Sequence, residues 1–288
     1  MCKVCETLFL HPKPNKKRLD NYYKESFKYT AGITNEWPIR ERSLIIIEKL
    51  MGFNPRGSKL LDIGSGYGYL LSEASKIGLN ITGIEPNKSL AGDSINQLIE
   101  SLHNVTFEQF FEKNKKNKYD FVTLIHVIEH VPNPKKMIQM ACQLLAPGGI
   151  IYIETPNLDS HLYRAEQNNY TFLTPPDHLW IFSRKSFPKI LGENYFIKHV
   201  STYSYSQHLM GILKAVTAPH FQPTSLPAGK AGLKVARQDS PSSSKKWQFV
   251  DISFLKYILF DKCIASLLYP LLNLKYYGSI LELYIKKK

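Results

Sequence analysis

The 288-residue chain is poor in cysteine, in long apolar runs and in compact blocks of one charge. Four cysteines, two of them at Cys2 and Cys5, exclude the disulfide framework of a small secreted protein and make a reducing cytoplasmic setting the expectation. No basic stretch followed by an apolar one opens the chain, so no secretory signal is read there. The nearest approach to a membrane span, Phe254 to Leu274, is interrupted by Lys256, Asp261, Lys262 and Pro270. Packed helices are the expectation for it, with peripheral membrane contact through 249–277 as the minor alternative. Lysine and arginine outnumber the acids 37 to 24, but the lysines are scattered through loops and ends such as Lys113 to Lys118, Lys245-Lys246 and Lys286 to Lys288. A solvated face fits that dispersion better than a binding stripe, and no nucleic-acid partner is expected. No internal repeat is present.

What the chain does contain is enough apolar residue, 43%, for one large α/β domain with additions. Its most informative stretch is Leu60-Leu61-Asp62-Ile63-Gly64-Ser65-Gly66-Tyr67-Gly68, a short apolar strand entering a glycine-rich turn. Leu70, Ala74 and Ile77 then fall at helical spacing, and Gly78 stands where a helix would stop. A turn of this kind lets backbone approach a ligand, and the helix behind it offers free N–H groups at its positive end. A dinucleotide fingerprint would need glycine at position 69, where the chain has Tyr69. The order here is D-x-G-x-G-x-G, with Asp62 two residues before the first glycine.

The surrounding pattern is β-α-β. A helix over 38–51 is closed by Gly52 and Asn54-Pro55, and a second strand, Ile81 to Ile84, ends at Glu85. A right-handed crossover places both strand ends beside one crevice, where the Glu85 carboxylate can accept hydrogen bonds from a ribose diol. A third strand is expected at Val105 to Phe107, with Glu108 and Gln109 after it, and a fourth at Tyr119 to Ile125. His126-Val127-Ile128-Glu129-His130 follows at the same sheet edge, and Asn133-Pro134 starts the next helix, with Met137, Ala141 and Leu144 on one face. The turn Ala146-Pro147-Gly148-Gly149 leads to a fifth strand, Ile150 to Glu154.

The series L-L-D-I-G-S-G-Y-G, I-E-P, Y-D-F-V-T-L-I-H-V-I-E-H-V-P-N-P and L-L-A-P-G-G-I-I-Y-I-E-T-P-N resembles class I S-adenosylmethionine-dependent methyltransferases of the quinone and sugar O-methyltransferase type. The resemblance implies a Rossmann-like α/β fold with a seven-stranded sheet. Its sixth strand falls near 196–203 and its antiparallel last strand at 279–285, with a helical insertion before that strand. It implies S-adenosyl-L-methionine as cofactor, held by Asp62, Gly64, Ser65, Gly66, Gly68, Glu85 and His126, with Asp62 toward the amino-acid end. Glu108 and Gln109 are then candidates for adenine contact. Pro175 to Ser183 would return the chain over the mouth of the site.

Methyl transfer to an alcohol or phenol calls for a base of near-neutral pKa, and His130 and His178 are the candidates. The Glu129-His130 pair is alternatively a holder of a divalent metal, although His126 stands where that pattern would place an acid, and the metal stays unassigned. Cys2-Lys3-Val4-Cys5 resembles half of an amino-terminal zinc ribbon. One such pair cannot close a four-ligand site, which leaves an earlier pair, loss of the site, or completion by His11 and another group as open readings. The expected organisation is an amino-terminal segment over 1–37, a cofactor-binding core over 38–205, an insertion over 206–278, without fixed structure at 219–246 and helical at 249–277, and a final strand with a basic tail over 279–288.

The acceptor is expected to be a small molecule or a saccharide precursor. A non-catalytic cofactor-binding module in envelope polysaccharide synthesis and, behind it, an NAD-dependent oxidoreductase are the alternatives.

Overall fold

The computed structural model describes residues 1–15, 36–87, 101–205 and 272–288, together with Leu19, His208, Gly211, Ile212 and Pro270. The expected unstructured 219–246 segment and nearly all of the expected 249–277 helices lie outside the described residues. No helix among the described residues is long and apolar enough to cross a membrane.

Helix α1 (Trp37–Phe53) carries Pro38 in its first turn and turns Ser43, Ile46, Ile47 and Leu50 inward. It leads into β2 (Lys59–Ile63), whose last four residues are all buried. Gly68, at φ 77°, forms the N-cap of α2 (Tyr69–Lys76), and Gly78 ends that helix in the left-handed region before β3 (Asn80–Ile84). Further along come β5 (Tyr119–Ile125), α4 (Pro134–Gln143), β6 (Leu145–Pro156), β8 (Tyr195–Tyr203) and β9 (Ile280–Lys287). Asn133 caps α4 by accepting from the Lys136 N–H, an arrangement worth about 1 kcal/mol.

The third strand lies elsewhere than expected. It is β4 (Leu102–His103), and Phe107 opens helix α3 (Phe107–Asn114) instead of closing a strand. Thr106 and Gln109 form a capping box, each side chain bonded to the other's backbone N–H. Phe107, Phe110 and Phe111 then share a buried face at helical spacing. Gln109 thus serves the helix cap, and Glu108 lies exposed in the first turn of the helix instead of in a loop after a strand.

The seven strands run in the order β4-β3-β2-β5-β6-β9-β8. Pairing is parallel from β4 to β6, while β9 runs antiparallel to both β6 and β8. The reversed last strand expected from the sequence is therefore present. Successive strand residues serve opposite faces: Leu61, Val122, Ile151 and Leu283 pack toward α3 and α4, while Leu60, Phe121, Tyr152 and Tyr284 pack toward α1 and α2. A sheet covered on both sides explains why its strands read as continuous apolar runs. Polar exceptions gather at the carboxyl ends of β2, β3, β5 and β6.

The amino-terminal residues join that edge indirectly. β1 (Leu8–Phe9) pairs antiparallel with β7 (Trp180–Ile181), and the Lys13 ammonium sits 3.8 Å over the Trp180 ring. Leu179 and Trp180 in turn donate their N–H groups to the Glu129 carbonyl.

Candidate functional site

Two groups of side chains meet at the carboxyl edge of the sheet. The first surrounds the glycine turn. Gly64 sits at φ 76°, and a Cβ there would lie 2.5 Å from Val127 Cγ2, so the turn packs directly on the 126–130 loop. Gly66 is left-handed too, at φ 52°, but a Cβ on it would meet nothing within 4 Å. Among the described residues, then, nothing fills the place a side chain would take at that position.

Around this opening stand two acids. Asp62 is buried and accepts the Thr123 hydroxyl at 2.6 Å, its partner in parallel register on β5. Burial pushes its pKa from an ordinary 3.8 up to about 7; the Thr123 bond opposes the rise and the nearby Glu85 charge adds to it. Glu85 accepts from the Gly66 N–H at 3.0 Å and the Asn87 N–H at 2.8 Å, and burial raises its pKa against those bonds. No cation is paired with either carboxylate among the described ion pairs. The hydroxyl of Ser65 is buried without a hydrogen-bond partner among the described residues. Two acceptor carboxylates, an orphaned hydroxyl and an open glycine cradle fit a ligand rich in hydroxyl and ammonium donors, as the adenosyl and methionyl parts of S-adenosylmethionine are.

The second group follows β5. His126 has φ 52°, rare for a residue with a Cβ, and is held there by three bonds. Its N–H donates to the Glu154 carbonyl at 2.9 Å, and its ring nitrogens lie 3.2 Å from Glu129 Oε1 and 3.3 Å from Glu154 Oε1. Burial disfavours its charge, but the two glutamates outweigh burial and push its pKa up to about 10. Glu129 is wholly buried, accepts the Thr155 hydroxyl at 3.0 Å and is held below the usual carboxylate range by His126 and its other histidine neighbours.

Glu154 and Glu282 stand opposite each other in antiparallel register, a repulsive placement by itself. Arg42 of α1 reaches both, bonding Glu154 Oε2 at 3.0 Å and Glu282 Oε1, while Lys49 lies 3.2 Å from Glu282. The Tyr152 and Tyr203 hydroxyls complete the shell of Glu154. Three buried glutamates are thus matched by Arg42, Lys49 and a charged His126.

His130 and His178 come together with ring centroids 4.7 Å apart. His130 Nδ1 lies 3.1 Å from the Asp177 carbonyl and His178 Nδ1 lies 2.7 Å from the Phe172 carbonyl. A carbonyl oxygen only accepts, so each Nδ1 carries a hydrogen, and a ring in its neutral form keeps its lone pair on Nε2. Burial works against charge on both rings. Asp177 and Glu129 reverse that effect for His130, whereas His178 ends below the ordinary histidine value.

All nine expected residues lie at this edge or on the segment that covers it, in the two groups just described. Sequence reasoning passed over Arg42, Thr123 and Glu154. Thr123 and Glu154 carry a signal in their positions near strand ends, whereas nothing local to α1 marks Arg42.

This strand order with a reversed final strand and acids ending the first two sheet strands defines the class I S-adenosylmethionine-dependent methyltransferase architecture. A family model described as a methyltransferase domain matches residues 40–196, more than half of the chain. The chain belongs to that methyltransferase family.

Among curated relatives, the ubiquinone biosynthesis O-methyltransferase of Coxiella burnetii is 30% identical over 122 residues, covering 41% of this chain and 52% of the relative. The protein of the same name from Pseudomonas aeruginosa is 34% identical over 112 residues, covering 37% and 48%. The chain thus spans about half the length of the curated relatives it matches. Among solved structures, a SAM-dependent methyltransferase from Archaeoglobus fulgidus superposes with a TM-score of 0.51 at 17% identity, covering 86% of this chain and 94% of the other. The plantazolicin methyltransferase in complex with SAH gives 0.52 at 15% identity, covering 94% of both. Both show the same fold.

Proposed function

We propose that the chain transfers a methyl group from S-adenosylmethionine to a hydroxyl of a small molecule or saccharide precursor in the cytoplasm. The observation that carries this reading is the pairing of two imidazoles, ring centroids 4.7 Å apart and each held through Nδ1 by a backbone carbonyl, on the side of the loop that packs against the glycine turn. The names of the curated relatives, O-methyltransferases, favour oxygen as the acceptor atom.

Asp62 receives the ammonium end of the cofactor, Glu85 its ribose hydroxyls, and the Gly64 to Gly68 backbone follows its length. When bound, S-adenosylmethionine supplies a sulfonium whose methyl carbon accepts an oxygen lone pair as the carbon–sulfur bond breaks, leaving a neutral thioether. The protein's tasks are alignment and removal of the hydroxyl proton. The His130 and His178 lone pairs are the acceptors the site offers for that proton. His126, clamped between Glu129 and Glu154, holds the loop that carries His130.

Incubation with methyl-labelled cofactor and fractionated cell extract tests the assignment. Label on an oxygen of a small molecule or saccharide is expected. Label in protein or nucleic acid contradicts it, and SAH binding without any transfer points instead to a non-catalytic module.

A further inference from the structure

Thr123 offers one hydrogen to two oxygens. The residue is fully buried on β5, opposite Asp62 in parallel register. Its hydroxyl oxygen lies 2.6 Å from Asp62 Oδ1 and 3.3 Å from the Leu61 carbonyl oxygen. A hydroxyl has a single hydrogen and two lone pairs, so a full bond goes to one of these oxygens at a time. The Leu61 carbonyl only accepts. The Asp62 carboxyl accepts when ionised and donates when protonated.

Two arrangements follow. With Asp62 ionised, the Thr123 hydrogen points at Oδ1. With Asp62 protonated, the carboxyl hydrogen goes to a Thr123 lone pair and the Thr123 hydrogen turns to Leu61. We infer that Thr123 is a positioning residue for the cofactor: its hydroxyl turns between Leu61 and Asp62 and so holds the Asp62 carboxyl in one place through the loss of its proton. The branched side chain is stiff at χ1, so the oxygen stays fixed and only the hydrogen moves. Each state keeps its hydrogens bonded, which an apolar residue at this position could not offer.

The charges around Asp62 give that hydroxyl its weight. β3 brings the Glu85 carboxylate, which disfavours ionisation, and β5 brings the uncharged Thr123, which favours it. No cation is paired with Asp62 among the described ion pairs. The inference rests on the reading of Asp62 as the contact of the cofactor's ammonium end, and adds what readies the carboxylate for that contact.

The test is titration calorimetry of SAH from about pH 6 to about pH 9 into the full chain, unaltered and with Thr123→Val or Thr123→Ser. Valine keeps the branched shape without the hydroxyl, and serine keeps the hydroxyl. In Thr123→Val the pH at which SAH affinity reaches half its rise should move up by about one unit, weakening binding about fivefold at about pH 7 and little at about pH 9. Repeating the titration in two buffers of different ionisation enthalpy should show more protons released on binding at about pH 8 in that variant. Thr123→Ser should keep the unaltered profile. Thr123→Ala also lacks the hydroxyl, serves if the valine variant does not fold, and should show the same upward shift. An unchanged midpoint without the hydroxyl overturns the inference, as does a loss of affinity equal at every pH, the mark of a purely structural role. A serine variant that behaves like valine overturns it too. All three outcomes leave SAH binding, and hence the methyltransferase reading, in place. No binding of SAH to the unaltered chain strikes that reading, and this inference with it.

Discussion

Two sets of buried carboxylates lie on one sheet edge and are treated in opposite ways. Glu129, Glu154 and Glu282 are enclosed by Arg42, Lys49 and His126, and all three are held below the ordinary carboxylate range. Asp62 and Glu85 have backbone N–H groups and one hydroxyl, and burial raises both. The first set is complete within the folded chain. The second meets no cation among the described residues, which suits a ligand that brings donors. Charge left uncompensated inside a fold marks where function was placed, whereas compensated charge marks what holds the fold together.

The sharpest way to break this comparison is to remove the compensation. Arg42→Ala leaves Glu154 and Glu282 facing each other with only Lys49 and His126 nearby, and chemical denaturation should report a loss of about 3–5 kcal/mol. Asp62→Asn should act the other way round. Its thermal melting point should hold or rise, because an unpaired buried charge is removed, while SAH affinity falls roughly ten- to a hundredfold with the loss of a charge-assisted bond. A drop in melting point comparable to that of Arg42→Ala would place Asp62 with the structural acids. Gly64→Ala tests the seam between the two groups. Its Cβ would collide with Val127 Cγ2 at a positive φ, and a loss of about 1–3 kcal/mol in denaturation is expected.

Much of this edge was legible in the chain because strands end at recognisable breakers. Asp62 before the glycines, Glu85 before Pro86 and His126 after the seven-residue strand that ends at Ile125 announce themselves by position. Arg42 does not. It sits among the charged residues of Arg40-Glu41-Arg42, and its partner Glu282 is 240 residues away, so only the folded sheet reveals the pair. The pairing of His130 with His178 depends likewise on the path of residues 170–180 over the loop. The misplaced third strand has a local cause. Val105 and Phe107 suit a strand by type, but the Thr106 and Gln109 spacing and the phenylalanines at 107, 110 and 111 describe a capped helix, and that pattern prevailed.

The contrast between the two acid sets is tested most directly by pH. Unfolded, Asp62 titrates at an ordinary 3.8, and in the fold at about 7. Between those values the folded chain keeps a proton that the unfolded chain has lost, so this group's contribution to stability falls as pH rises through that window. Cofactor binding has the opposite slope, because the ionised carboxylate is the form that accepts the ligand's donors. Titration calorimetry of SAH into the chain at about pH 6 and about pH 8 should show tighter binding at the higher value, by up to about tenfold, with the difference abolished in Asp62→Asn. Equal affinity at both pH values in the unaltered chain, or no binding of SAH at all, would contradict the account.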